Sequence, residues 1–138
     1  MRSVYNAIAS RSALDPVAAS SAQNGIVIDT LGYNSCMFSV QNGAASGSPT
    51  SYTVDAKVQE GSQANLSDAA DVSGATVTQI SADGVTKVIR VEGLGTSRKR
   101  YLRIVVTPAL TGGTSPKALI SAVVSLGRAY SEPVSNTN

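Results

Sequence analysis

Over residues 52–59, every second side chain is apolar and the intervening ones are polar. Residues 100–107 and 117–126 also place an aliphatic side chain at every second position. A period of two directs alternate side chains to opposite faces of an extended strand, so each segment predicts a β-strand with a buried face. Strands of this kind need a second layer to cover their apolar faces, which favours an all-β fold. The alternation predicts these inward-facing residues: Val54, Val58, Leu102, Ile104, Ile120 and Val124.

Shorter strand-like runs lie at residues 26–29, 35–41, 76–80 and 85–91. They contain Val or Ile, and segments rich in Gly, Asn, Asp, Ser and Pro separate them, as turns separate the strands of sandwiches and barrels. Seven strands at this spacing, with an eighth near one terminus, predict a two-layer antiparallel β-sandwich with jelly-roll topology. We place this single domain at residues 25–138.

The segments that connect these runs predict which strands pair with each other. Asp83-Gly84 is a turn dipeptide that predicts a β-hairpin, because Gly tolerates a positive φ. Residues 60–75 are polar and long for a hairpin loop, which favours a crossover between the two sheets. The runs at 26–29 and 35–41 are expected to be neighbouring strands.

Residues 1–24 differ from the rest of the chain, being rich in Ala and Ser with scattered apolar side chains. Asp15-Pro16 interrupts the one stretch that could be helical, because proline disfavours helix at the preceding residue. We interpret this segment as an N-terminal arm that drapes over a neighbouring subunit, or as an edge strand of the same sandwich. The arm interpretation predicts that its apolar residues contact a partner: Val4, Tyr5, Ile8, Leu14 and Val17.

The composition leaves little material for catalysis or metal binding. The chain has no His and one Cys, which excludes Ser-His-Asp and Cys-His nucleophile systems and the usual zinc ligand sets. Asp68 and Asp71 are close in sequence but lack the ligand spacing of an EF-hand loop, so we interpret them as caps of a solvated loop. Cys36 lies in an apolar run and is interpreted as a buried hydrophobic residue. We expect a protein that is not an enzyme and has no metal or cofactor.

The charge balance argues against a nucleic-acid partner, because phosphate binding needs many clustered cations and the net charge is only +2. The basic cluster Arg98-Lys99-Arg100 is interpreted as a solvated hairpin turn or a protein contact, with an anion site as the alternative. No apolar run is long enough to span a membrane, and the N-terminus lacks the apolar core of a signal peptide. We expect the chain to fold in a cytoplasm.

Two short motifs carry a resemblance to a known family: the turn IDTLGY at residues 28–33 and the strand RYLRI at residues 100–104. Over residues 25–128, the chain resembles the jelly-roll cement, or decoration, proteins of tailed bacteriophages. The resemblance implies a structural virion protein, assembled in the host cytoplasm, that forms a homotrimer on the capsid exterior. It also implies that the protein binds major capsid subunits after shell expansion and stabilises the shell against the internal pressure of the DNA.

Other functions remain open, namely a tail or head–tail connector β-domain of a phage virion and a carbohydrate-binding module. Sugar binding favours exposed aromatic platforms, and the chain has no Trp and one Phe. The strand at 117–126 has a second apolar face with Leu119 and Val123, which predicts packing against a symmetry mate or a second sheet. These two residues, the basic cluster and the N-terminal apolar residues form the candidate partner interface.

Overall fold

The computed structural model of the chain describes residues 3–130, so the last eight residues of the predicted domain lie outside this range. Its elements in chain order are α1 (Val4–Ala7), β1 (Ala9–Ala19), β2 (Gln23–Asn24), β3 (Ile28–Asp29), β4 (Tyr33–Asn42), β5 (Ser51–Gly61), β6 (Ala70–Ile80), β7 (Thr86–Glu92), β8 (Tyr101–Thr111) and β9 (Ala118–Ala129). Sheet I has the strand order β1-β9-β4-β7. Sheet II has the order β2-β8-β5-β6, with β3 also paired to β8. All of these pairs are antiparallel, which confirms the predicted all-β sandwich.

The strand order follows from nested pairing along the chain. β1 pairs with β9, β2 and β3 pair with successive parts of β8, β4 pairs with β7, and β5 pairs with β6. If β2 and β3 are counted as one interrupted strand, the nine strands occupy eight positions in two four-stranded sheets. Wrapping of this nested hairpin brings β4 beside β9 and β5 beside β8. The arrangement is that of a jelly roll.

The inner faces of the two sheets bury an aliphatic core around one aromatic side chain, Phe38. Cys36 is also buried there, and burial raises the pKa of its thiol to about 12, which keeps the thiol protonated. The residues predicted to face inward are all at most 1% exposed: Val54, Val58, Leu102, Ile104, Ile120 and Val124. The alternation therefore identified the buried faces of β5, β8 and β9 correctly.

Three of the predicted connections are wrong. The polar segment around residues 62–69 joins β5 to β6 within sheet II, so it is a hairpin loop and not a crossover. Asp83-Gly84 joins β6 of sheet II to β7 of sheet I, so it does not form the predicted hairpin. The runs at 26–29 and 35–41, which were predicted to be neighbours, correspond to β3 and β4 and lie in different sheets. Gly84 does have a positive φ, of 71°. An Asp-Gly turn specifies local backbone angles, but it does not decide which strands pair.

The N-terminal segment enters the sandwich at Ala9–Ala19 as an edge strand and does not form a free arm there. β1 pairs with β9 along its length, with register shifts on both sides of Leu14. Asp15-Pro16 falls in this irregular part, where an edge strand can accommodate proline because one side of its backbone has no ladder partner. Leu14 is buried and the partly buried Val17 packs against the core, so both side chains contribute to the sandwich of their own chain.

Candidate interaction surfaces

The outer face of sheet I, here called the sheet I face, combines serines with exposed hydrophobic side chains. One row in register across its four strands consists of Ser12, Val123, Ser39 and Val88. The next row consists of Ser10, Ser125, Met37 and Arg90. Adjacent strands lie about 4.8 Å apart, so each row spans roughly 15 Å of a continuous surface.

The sheet I face is poor in charge at its centre. Met37, Val88, Leu119 and Val123 are exposed on it, although each is a large hydrophobic residue. Its charged residues lie on the edge strands: Arg90 and Glu92 are 3.8 Å apart on β7, and Asp15 of β1 accepts from the Ser12 hydroxyl at 2.6 Å. Protein interfaces have cores depleted of charge and rims that are polar, so this face has the composition of an interface.

The outer face of sheet II is chemically different, because an ionic network crosses three of its strands. Arg103 Nε donates to Gln59 Oε1 at 2.9 Å, and Gln59 Nε2 donates to Asp71 Oδ1 at 2.9 Å. Lys57 Nζ also donates to Asp71, at 2.9 Å. These bonds lower the pKa of the Asp71 carboxyl, with the Gln59 bond as the main cause. These four side chains are thus bonded within the chain, and, among residues 3–130, the strands of sheet II contain no exposed large hydrophobic residue.

The basic cluster is paired with carboxylates from three distant segments. Arg98 lies 3.5 Å from Glu60, and Lys99 Nζ lies 4.0 Å from Asp68. Arg100 donates two hydrogen bonds to Asp29, at 2.8 and 2.7 Å, and its guanidinium lies 5.1 Å from the centroid of the Tyr101 ring. The cluster lies on the connection from β7 of sheet I to β8 of sheet II, so the predicted hairpin turn is wrong. Each of its cations is close to a carboxylate of another segment, and these contacts link the connection to the rest of the fold. Cations that are already paired with carboxylates argue against an anion site.

The Asp29–Arg100 pair predicts a small acid-dependent contribution to stability. The Arg100 hydrogen bonds lower the pKa of Asp29 below its ordinary value of 3.8. A carboxyl with a lowered pKa stabilises the fold at higher pH, and this contribution is lost as pH falls through the folded-state pKa. We expect Asp29→Asn to be less stable than wild type near neutral pH and to approach it in acid, as measured by urea unfolding at about pH 7 and about pH 3. The matched control, Asp15→Asn, changes a carboxylate that accepts from the Ser12 hydroxyl at 2.6 Å; an equal convergence in the control would contradict the assignment.

Asn42 is fully buried at the end of β4 and joins three elements. Its side-chain nitrogen donates to the Tyr52 hydroxyl at 3.1 Å and to the Ala82 carbonyl at 2.7 Å, and its side-chain oxygen accepts from the Val85 N–H at 3.2 Å. The Tyr52 hydroxyl donates in turn to the Asp83 carboxylate. Burial, followed by this bond to Asp83, raises the pKa of Tyr52 to about 12. These bonds fix the position of the β6–β7 connection where it passes from sheet II to sheet I.

Removal of the Asn42 amide should destabilise the domain. We expect Asn42→Ala to lower the free energy of unfolding by about 1–3 kcal/mol, because it removes the hydrogen bonds that the buried amide makes with the Ala82 carbonyl and the Val85 N–H. Urea unfolding measures the change, and Asn24→Ala, an exposed asparagine in β2, is the control with an expected change within about 0.5 kcal/mol. Equal stability of the two variants would show that the buried bonds contribute nothing.

The structure separates the residues of the predicted interface into different regions. Leu119 and Val123 lie on the sheet I face, whereas Val4 and Tyr5 are exposed on α1 and Ile8 is half-buried. Met37 and Val88 were not among the residues predicted for the interface, although each alternates with buried residues of its own strand, which is a signal for an outward-facing side chain. Three further exposed hydrophobic residues outside the regular strands were not predicted either: Ile26, Leu31 and Tyr130.

Within residues 3–130, no group of three or more Cys, His, Asp or Glu side chains is placed so that it could hold a metal ion. The helix in this range, α1, has four residues, and none of the described helices is long and apolar enough to cross a membrane.

No family model matches the chain, and no curated protein matches it. Among solved structures, the chain is similar to the crystal structure of the PBSX exported protein XepA, with a TM-score of 0.58 and 17% sequence identity over 94% of this chain. The chain spans about 40% of the length of that protein. It is also similar to the SPBc2 prophage-derived protein YomS, with a TM-score of 0.45 and 10% identity, over 91% of this chain and 98% of that one. The likeness to the PBSX exported protein shows that the two chains share a fold.

Proposed function

We propose that this chain is a structural protein of a phage virion, and specifically a capsid cement protein that binds major capsid subunits on the outside of the shell. Three observations support the proposal: the sequence resemblance over residues 25–128, the jelly-roll sandwich, and the fold shared with the PBSX exported protein XepA. The role is mechanical and involves no catalysis, cofactor, nucleic acid or membrane. The protein assembles in the host cytoplasm and acts as a homo-oligomer, for which the family resemblance favours a trimer.

The observation that carries the proposal is the contrast between the two outer faces of the sandwich. The sheet I face exposes Met37, Val88, Leu119 and Val123 among serines, whereas the sheet II face carries an ionic network of Lys57, Gln59, Asp71 and Arg103. An uncovered hydrophobic face with little charge is stabilised by a partner that excludes water from it. We assign the sheet I face to the contact with the capsid.

Purified protein is added to capsids that lack this protein, and binding is measured by co-sedimentation. We expect Val123→Lys to weaken binding by about tenfold or more, because the new charge would be desolvated at the contact. Thr107→Lys is the matched control, since Thr107 is an exposed strand residue on the outer face of sheet II. Equal binding by both variants would overturn the assignment of the sheet I face.

A tail or head–tail connector role is the competing proposal, and copy number distinguishes the two. A cement protein covers the shell and is present in numbers comparable with the major capsid protein, whereas a connector is present in few copies. The band intensity of this chain relative to the major capsid protein in purified particles measures that ratio directly. A low ratio would overturn the cement proposal in favour of the connector.

A further inference from the structure

The loops at one end of the sandwich border a polar cavity of about 430 Å³. It lies between the loop before β5, the start of β5 and the β6–β7 connection. Sites for small molecules have volumes of roughly 300–1,000 Å³, so the cavity is large enough for a small ligand. All of its lining residues are in the described part of the chain, and none belongs to a strand of sheet I. The cavity is therefore separate from the sheet I face.

The loop before β5 is held in place by the segment between β8 and β9. The Ser46 N–H donates to the Lys117 carbonyl at 2.8 Å, and the Thr114 N–H donates to the Gly47 carbonyl at 2.9 Å. The two segments also pack closely, because a Cβ on Gly113 would lie 2.2 Å from the Gly47 carbonyl oxygen. This wall of the cavity is thus formed before any ligand binds, which lowers the entropic cost of binding.

The opposite wall carries one carboxylate, Asp83, which is positioned by Tyr52. The Tyr52 hydroxyl donates to one oxygen of Asp83 and accepts from the Asn42 side chain at 3.1 Å. Asn42 is fully buried, so this chain of bonds begins in the interior of the domain. The second oxygen of Asp83 has no hydrogen-bond partner among residues 3–130. It is therefore available to accept a hydrogen bond from a ligand.

Hydroxyl groups supply most of the remaining lining. Four of them have no hydrogen-bond partner within the described chain: Ser48, Thr50, Ser51 and Ser81. Each can both donate and accept a hydrogen bond. The apolar part of the lining is small, with the side chains of Ala45 and Pro49, and no Lys or Arg is among these described lining residues. The cavity thus offers a carboxylate and several hydroxyls to a polar ligand.

We propose that this cavity binds a neutral sugar ring. The hydroxyls of a sugar donate to the carboxylate of Asp83, and they both donate to and accept from the four hydroxyls of the lining. An anion would be repelled by Asp83 and would find no cation in the lining. An apolar ligand would remove these polar groups from water without bonding to them, which costs free energy. A simple ammonium ion would pair with Asp83 but leave most of the cavity unfilled.

The affinity of such a site is low. Tyr52 packs against the core and its hydroxyl is already bonded to Asp83, so no open aromatic face contributes to sugar stacking here. Hydrogen bonds to the sugar replace bonds to water and therefore contribute little net free energy each. We expect a dissociation constant of about 1–10 mM for a single ring. The inference goes beyond the structural role and does not depend on it, although display of many copies on one shell would raise the avidity for a surface that carries sugars.

Nuclear magnetic resonance of ¹⁵N-labelled full-length protein tests the inference. Glucose, galactose, mannose and N-acetylglucosamine are each added up to about 50 mM, which is above the expected dissociation constant. We expect at least one of them to cause saturable shifts of the backbone amide signals of residues 45–52 and 81–84. Asp83→Asn should weaken this binding by about tenfold, because it removes a charged acceptor. Ser81→Ala should weaken it by about threefold, and this exposed side chain has no internal bond to lose.

The matched control is Asp15→Asn, since Asp15 also accepts from a hydroxyl, that of Ser12, but lies outside the cavity. It should bind the sugar as wild type does, and thermal unfolding verifies that all variants fold. The inference is wrong if no sugar shifts these signals, or if Asp83→Asn and Ser81→Ala both bind as tightly as wild type. Saturable shifts with ethylammonium chloride and none with the sugars would also overturn it, in favour of a cationic ligand.

The sugar could be free in solution or part of a longer glycan, and a further titration distinguishes these sources. The monosaccharide that shifts the signals is compared with its own linear trisaccharide. Binding of the trisaccharide that is tighter by about fivefold or more would identify a glycan chain as the ligand, because neighbouring rings then add contacts. Equal affinity would identify the single ring, and either result supports a sugar site in the cavity.

Discussion

Deletion of residues 1–20 will leave a chain that does not form a stable sandwich. β1 forms one edge of sheet I. It also contributes four buried side chains to the core: Ala9, Ala13, Leu14 and Ala19. Without it, β9 loses one of its two partners and the core is open along that side. We expect a loss comparable with the total stability of a small domain, about 5–15 kcal/mol. Loss of the cooperative thermal transition measures this result.

The matched control is deletion of residues 1–7, which removes α1 and leaves β1 intact. Because α1 contains no buried residue, we expect the melting temperature in dilute solution to change by no more than about 2 °C. An unchanged melting temperature after the longer deletion would show that β1 is dispensable, and it would restore the arm interpretation for this segment.

Ile104→Ala should lower the free energy of unfolding of this domain by about 2–5 kcal/mol. Ile104 is 0% exposed and lies near the middle of β8. β5 pairs with β8 on one side, and β2 and β3 pair with it on the other. The backbone is therefore held in place and cannot collapse into the space left by the missing methyl groups, so the transfer and cavity costs add. The shift of the urea midpoint at an unchanged slope measures the loss.

Val123→Ala is the control for this substitution, since Val123 is an aliphatic strand residue on the outer face of sheet I. We expect its free energy of unfolding to change by less than about 1 kcal/mol in the monomer, because much of the side chain remains in water. Similar losses in both variants would contradict the assignment of inner and outer faces.

The sequence determined the strands and their buried faces, because alternation is a local property. The period of two in residues 52–59 and 117–126 identified Val54, Val58 and Ile120 as core residues, and it placed Leu119 and Val123 on the opposite face. The absence of His likewise excluded whole classes of catalytic site, because those sites depend on an imidazole. These conclusions needed only residue identity and spacing along one strand.

Only some residues of the candidate interaction surfaces could be predicted from the sequence. Met37 and Val88 could have been assigned to the sheet I face from the alternation in their own strands. The cavity of about 500 Å³ lined by Arg11, Ile26 and Leu126 could not be predicted, because these residues come from segments far apart in the chain. The partners of Arg98 and Arg100 also come from elsewhere, and without them the basic cluster resembled an anion site or a solvated turn.

Strand pairing was decided by the tertiary structure. Asp83-Gly84 makes the turn that its sequence predicts, but the strands on either side enter different sheets because Asn42 and its buried hydrogen bonds hold the connection there. Ala9–Ala19 shows weak strand character in the sequence, and it becomes an edge strand because β9, about 100 residues later, offers an unpaired backbone and an apolar core to cover. Such pairings depend on which backbone edges and apolar faces remain uncovered once the rest of the jelly roll has formed, and that is a property of the whole chain.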